Sequence, residues 1–140
     1  MSQPETIERS HTFPKKERLH SKKLIEELFS KGSHFYLYPF KVLYLPVQEE
    51  SEGRHQVLIS VSKRKFKRAP DRNLIKRRIR EAYRLNKHIL YSASSGQHSY
   101  SIAYIYTGKE SHPFQFIQNR LSKSLRRLSK EIEKSDHEKT

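Results

Sequence analysis

The 140-residue chain has no cysteine and no tryptophan, only four glycines, and 15 acidic against 29 basic residues. Without cysteine, disulfides, thiolate catalysis and Cys-based zinc sites are excluded, which fits a reducing compartment. The longest apolar runs, Val57–Ile59 and Ile102–Tyr106, fall far short of the roughly 20 residues that a membrane span needs. The polar start does not resemble a signal peptide, so we expect a cytoplasmic protein without membrane association.

Sequence patterns for a metal site or a hydrolytic centre are also missing. The eight histidines show neither HxxxH nor HxH spacing, so we expect no metal bound by the protein alone. No carboxylate pair, Ser-His-Asp set or histidine cluster stands out, and we therefore predict no catalytic residue in this chain.

What the chain does have is positive charge concentrated in one segment. Lys63 to His88 contain twelve Lys or Arg and two acidic residues, which is +10 of the net +14 of the whole chain. Charge at this density repels itself, and a folded protein that keeps it usually binds a polyanion. The segment therefore favours RNA binding.

The same segment carries a helical apolar stripe. At 100° per residue, one side of a helix collects Ile75, Ile79, Ala82, Tyr83 and Leu90. The opposite side collects polar residues that suit phosphate oxygens, namely Asn73, Arg77, Arg80 and Arg84, with Lys76 and Lys87 at its shoulder. A solvated face with pairs such as Arg77 and Glu81 is the structural alternative, but two acids cannot balance twelve bases.

The remaining patterns predict a single α+β domain. We expect a helix after Ser21, a strand over 35–47, an acidic hairpin loop at 48–53, a strand over 56–62, and the basic helix from Asp71 to about Tyr91. A third strand over 100–107 and a last helix from Pro113 follow. A small sheet packed on one face by helices, in the order α-β-β-α-β-α, buries these stripes. The domain spans 12–133, between flexible tails at 1–11 and 134–140.

The residues Ser60–Lys63, a basic loop, and then Arg72–Arg84 resemble the signature of the bacterial ribonuclease P protein component. Arg18-Leu19, Phe29 three residues before Gly32, and Phe40 also resemble the amino-terminal half of that family. The resemblance covers residues 12 to 132.

This resemblance implies a two-layer α/β sandwich with a left-handed β-α-β crossover. It also implies a protein that binds a large catalytic RNA, in a complex that removes the 5′ leader of precursor tRNA. The chemistry would belong to the RNA, with Mg²⁺ held mainly by it, and no obligate protein partner is implied.

The resemblance further implies two groups of binding residues. The catalytic RNA would meet the residues that match the arginine-rich helix and the basic loop: Lys63, Arg64, Arg68, Arg72, Asn73, Lys76, Arg77, Arg80 and Arg84. The leader would meet a cleft between the first helix and the sheet, where the matching positions are Ile25, Phe29 and Phe40. Packing alone is the alternative for Ile25 and Phe29.

Two positions depart from the family pattern. The family has Arg-Asn-Arg at the start of the helix, whereas this chain has Arg72, Asn73 and Leu74. The loop over 63–70 is also longer and more basic than in the family. The register of the first strand leaves open whether Leu43 or Tyr44 faces the leader.

Two other functions compete with this interpretation. A structural RNA-binding protein, such as a ribosomal component, would have the same composition. A DNA-binding helix-turn-helix protein is disfavoured because no short helix and turn precede Asp71.

Overall fold

The computed structural model describes residues 13–47, 55–93 and 99–138. A short 3-10 turn, Lys15–Glu17, precedes four helices and four strands. In chain order these are α1 (Lys22–Lys31), β1 (Ser33–Leu37), β2 (Phe40–Val47), β3 (Gln56–Val61), α2 (Ala69–Asn86), α3 (His88–Ala93), β4 (Ser99–Tyr106) and α4 (Phe114–Glu138). The predicted mixed fold, a small sheet packed by helices, is confirmed.

The segment that the sequence predicts as one long first strand is two strands. The chain reverses at the cis peptide bond between Tyr38 and Pro39, and β1 then pairs antiparallel with β2. The alternation of apolar residues continues through both strands, so the pattern alone hides the turn. The element order therefore contains one strand more than predicted.

The order across the sheet is β1-β2-β4-β3, so β2 and β4 are the two inner strands. The predicted hairpin between β2 and β3 is therefore wrong, because β4 pairs antiparallel with β2 and parallel with β3. The loop residues 48–53 lie outside the described residues. β4 takes an inner position because it is apolar enough to be buried on both faces. The left-handed sense of the crossover from β3 to β4 stays a prediction.

The two faces of the sheet are covered unequally. On the main face, Val42, Ile102 and Tyr104 pack against α2 and α4 in the large core. On the second face, α1 packs through Leu28 on Leu43 and Ala103. The expectation that helices would leave this face open is wrong, because α1 packs there on the two inner strands.

The helix ends follow local chemistry. Ser21 caps α1 as predicted, its hydroxyl accepting from the backbone N–H of Leu24 at 3.3 Å. In α2, Asp71 lies in the first turn, which suits a carboxylate near the helix N-terminus. The predicted single helix to about Tyr91 is instead interrupted at Lys87, after which α3 begins. The last helix extends to Glu138, beyond the start of the predicted tail; the tail at 1–11 lies outside the described residues.

Candidate nucleic-acid interface

The outer side of α2 carries a row of uncompensated polar side chains. Asn73, Arg77 and Arg80 are exposed, while Ile75 and Ile79 on the opposite side are fully buried. Within the described residues, neither Arg77 nor Arg80 makes a hydrogen bond or an ion pair. Lys76 is half-buried on the flank of this row. The packing of the apolar stripe thus holds the guanidinium groups in solvent, where they are available to phosphates.

Arg84, the fourth member of the predicted row, is partly neutralised. Its guanidinium forms an ion pair with Glu81, and its Nε donates to Glu81 Oε2 at 3.2 Å. This hydrogen bond is the main cause of the lowered pKa of the Glu81 carboxyl. Both side chains are partly exposed to solvent, so the pair is weak and competes poorly with a phosphate. Glu81 thus pairs with Arg84, not with Arg77.

Lys87 does not belong to the interface, although the helical pattern puts it at the shoulder of the row. Its Nζ lies 3.0 Å from both carboxylate oxygens of Glu17, and both side chains are buried. The hydroxyl of Tyr91 donates to the same carboxylate at 3.0 Å. The break between α2 and α3 lets Lys87 turn inward to this partner, which is remote in sequence.

The basic loop that leaves β3 is a tight turn. The Ser62 hydroxyl accepts from the backbone N–H of Arg64 at 3.2 Å, and the Phe66 ring packs 5.9 Å from the ring of Tyr106. Lys63 and Arg64 are exposed at the tip of this turn. The extra residues of the loop are thus anchored, and its two leading cations face solvent.

Arg72 also has a positioning role within the protein, while its predicted contact with the catalytic RNA stays a prediction. Its Nη1 donates to the carbonyl oxygens of Phe66 at 2.7 Å and Lys67 at 3.0 Å, which ties the loop to α2. Arg68 is exposed at the N-cap position of α2. Leu74, which replaces the Arg of the family pattern, is half-buried. Because it is apolar, it adds no charge beside the row.

Two of the three predicted cleft residues lie on one flank of α1. Ile25 and Phe29 are one turn apart; Ile25 is half-buried against Leu43 and Ala103, and Phe29 is 49% exposed. The third prediction, Phe40, is wrong as a stacking residue. Phe40 has no exposed surface and packs edge-on to Tyr104 in the main core, with 5.4 Å between ring centroids. The alternation of β2 turns it to the other face of the sheet.

Sequence reasoning missed a row of residues across the second face of the sheet. Tyr36, Lys41 and Ile105 are register partners on neighbouring strands. Tyr36 is 60% exposed, and Lys41 Nζ lies 5.5 Å from the centroid of its ring. Had the split of the first strand been known, its alternation would have indicated Tyr36 and Lys41.

The register also answers which residue of β2 faces α1. Leu43 lies on the same face as Lys41 and packs against α1. Tyr44 faces the main core, where its hydroxyl donates to Glu131 Oε2 at 3.2 Å. Leu43 is therefore the residue toward the cleft.

The two flanks of α1 face different ends of the second face of the sheet. Leu24 and Glu27 line a groove of about 900 Å³ together with Leu45 and Ser101, at one end of the second face. Ile25 and Phe29 are turned 100° or more away from Leu24 around α1. Their flank therefore faces the other end of this face, where Lys41 and Ile105 lie.

Metal-binding chemistry finds little support in the described ranges. Residues 13–47, 55–93 and 99–138 contain no group of three or more His, Asp or Glu side chains that could hold a metal ion. The same ranges contain no helix that is long and apolar enough to cross a membrane.

Comparison with known proteins gives a consistent result. The family model for Ribonuclease P matches residues 13–129. The chain belongs to the ribonuclease P protein component family. It is 36% identical over 122 residues to the ribonuclease P protein component of Porphyromonas gingivalis, covering 86% of this chain and 89% of that protein. The corresponding protein of Chlorobaculum tepidum is 34% identical over 109 residues, with 72% and 71% covered.

The fold agrees with a solved ribonuclease P protein. The structure from Thermotoga maritima superimposes with a TM-score of 0.64 at 24% identity, covering 79% of this chain and 96% of that one. Membership of the family makes this chain a protein subunit of ribonuclease P, the tRNA-processing endoribonuclease. It also implies an RNA partner in the ribonuclease P holoenzyme.

Proposed function

We propose that this subunit binds the catalytic RNA of ribonuclease P through α2 and the single-stranded 5′ leader of precursor tRNA in the cleft beside α1. By holding both RNAs it supports endonucleolytic removal of the leader, which creates the mature 5′ end. The observation that carries the proposal is the exposed row of Asn73, Arg77 and Arg80, which has no counter-charge within the described residues.

The contact with the catalytic RNA rests on exposed cations from two elements. Arg77 and Arg80 present planar guanidinium groups that can bind phosphate oxygens in bidentate fashion. Lys63 and Arg64 extend the positive surface from the turn after β3. Arg72 holds that turn against α2 and so fixes the loop cations relative to the row.

The leader site rests on exposed rings above an apolar floor. Phe29 and Tyr36 are each about half exposed, and Leu43 is buried between their elements. Aromatic side chains stack on unpaired bases with about 1–3 kcal/mol per base, without requiring a particular sequence. Lys41, next to the Tyr36 ring, would pair with the leader backbone.

The catalytic chemistry is proposed to lie outside this chain. Membership of the family is the ground on which we propose that the RNA holds Mg²⁺ and carries the chemistry, and we assign no catalytic side chain. The protein cations neutralise RNA phosphates at the contact, so the complex should need less Mg²⁺ than the RNA alone. Since bacteria make precursor tRNA in the cytoplasm, we place the particle there, with no obligate second protein.

Binding of the catalytic RNA by the Arg77→Ala and Arg80→Ala variants tests this proposal. Each change removes one phosphate contact, so we expect at least tenfold weaker binding, in line with about 1.5–3 kcal/mol for a charged hydrogen bond. The slope of log affinity against log salt should become shallower by about 0.7–0.9 per variant.

Lys15→Ala is the matched control, because Lys15 is an exposed cation outside α2 and its loop. Precursor and mature tRNA are then compared in the reconstituted complex. Equal affinity of Arg77→Ala, Arg80→Ala and the control for the RNA would refute the proposed role of α2.

A further inference from the structure

The outer side of α4 carries a second stripe of exposed cations. Lys123, Arg126 and Lys130 lie on one side of the helix, opposite the buried Leu121 and Leu125. None of the three cations makes a hydrogen bond or an ion pair within the part of the chain that the structure describes. The charges of this stripe are therefore available to an anionic ligand, as are those of the row on α2.

Beside the stripe lies a groove of about 340 Å³ between α4 and the end of α2. Its lining contains no apolar side chain and consists of Asn86, Gln115, Gln118, Asn119, Ser122, Lys123 and Arg126. Asn86 donates its amide N–H to the carbonyl of Ala82 at 2.7 Å, which orients its carboxamide. Four carboxamides and a hydroxyl thus offer both donors and acceptors next to a cationic edge.

This surface is separate from the one assigned to the catalytic RNA above. Around α2, Asn86 lies 180° from Arg77 and 120° from Arg80. One extended strand lying on the α2 row would therefore not also reach the groove. A ligand bound in the groove must therefore be a different segment from the one that binds the α2 row.

The chemistry of the lining favours a base-paired segment. No aromatic side chain lines the groove, so it offers no ring for stacking on unpaired bases. Duplex RNA is recognised through phosphates and through 2′-hydroxyls across the shallow minor groove, without stacking. Cations suit the phosphates, while carboxamides and a hydroxyl suit 2′-hydroxyl groups, which both donate and accept.

We propose that the groove between α2 and α4, with its cationic stripe, binds a base-paired segment of the catalytic RNA. This rests on the proposed function, because α4 packs against the helix assigned to that RNA. A duplex of the same RNA is therefore the nearest ligand of suitable chemistry.

Hydroxyl-radical footprinting of the cognate catalytic RNA, in complex with the full chain, tests this assignment. One variant combines Lys123→Gln, Arg126→Gln and Lys130→Gln, and another combines Gln118→Ala with Asn119→Ala. The matched control, with three exposed cations near α1 replaced, combines Lys15→Gln, Lys23→Gln and Lys31→Gln.

We expect ribose protection on both strands of a paired segment, lost in the α4 cation variant and weakened in the amide variant. The control should retain it. The salt slope of binding should become shallower by about 2–3 in the cation variant, from three lost contacts. Thermal unfolding verifies that each variant folds; the single changes Lys123→Gln and Arg126→Gln replace any that does not.

Unchanged protection of the catalytic RNA and an unchanged salt slope in the folded α4 variants would overturn the inference. An Arg77→Gln, Arg80→Gln variant, run beside them, separates the two proposals. If that variant binds weakly and the α4 variants bind normally, only the inference fails. If both bind normally, the proposed role of α2 fails as well.

Discussion

The buried ion pair between Lys87 and Glu17 should be among the most sensitive points of the fold. Replacing Glu17 by Gln leaves the Lys87 ammonium buried without a counter-charge, and a single amide oxygen must then accept from both Lys87 and Tyr91. Removing one partner of a buried pair costs about 3–5 kcal/mol in free energy of unfolding. At roughly 3 °C per kcal/mol for a chain of this size, the melting temperature should fall by about 9–15 °C.

Denaturant unfolding of single and double variants measures this cost. The double change Glu17→Leu with Lys87→Met should recover most of the lost stability, because an apolar pair of similar volume removes the stranded charge. RNA affinity of Lys87→Met, measured well below its melting temperature, should match that of the unaltered chain. If Glu17→Gln and Lys87→Met each lower the free energy of unfolding by less than about 1 kcal/mol, the reasoning is refuted, because such losses are typical of an exposed pair.

Three further predictions follow from other contacts. Arg72→Ala should cost about 1–3 kcal/mol of stability and speed amide exchange in the loop over 63–68, because two carbonyls lose a charged donor; unchanged exchange there would contradict this. Phe29→Ala should weaken binding of precursor tRNA by about 1–3 kcal/mol and leave binding of mature tRNA unchanged. The control Tyr38→Ala removes an exposed ring of the β1–β2 turn and should change the binding of neither tRNA. Burial raises the pKa of Tyr106 to about 12, so the stabilisation from its neutral hydroxyl is fully present below pH 10 and is lost as the pH rises towards 12. In alkaline denaturation curves, Tyr106→Phe should make this loss of stability smaller.

The parts of the fold that local periodicity specifies could be predicted from the sequence. The stripe of Ile75, Ile79 and Tyr83 set both the buried side of α2 and the exposed position of Arg77 and Arg80. Parts that depend on remote partners could not be predicted. The apolar run Ile102–Tyr106 allows β4 to be buried on both faces, but its pairing with β2 and with β3 depends on strands that are remote in sequence.

The errors at the candidate site have the same physical origin. Charge patterning puts Lys87 beside the arginine row, but Glu17, 70 residues away, draws it into the interior. For Arg72 the sequence does not indicate that the side chain also anchors the loop, and its contact with RNA stays a prediction. The family resemblance assigns Phe40 to the cleft, and only the register of β2 shows that it faces the main core.

Cleavage of precursor tRNA by the cognate catalytic RNA at low magnesium tests the central claim most directly. At a magnesium concentration where the RNA alone is nearly inactive, the full chain should restore cleavage at the 5′ end of the mature sequence. The Arg77→Ala, Arg80→Ala double variant at the same protein concentration should not. Equal rates with and without the protein, or equal rates for the double variant and the unaltered chain, would contradict the account.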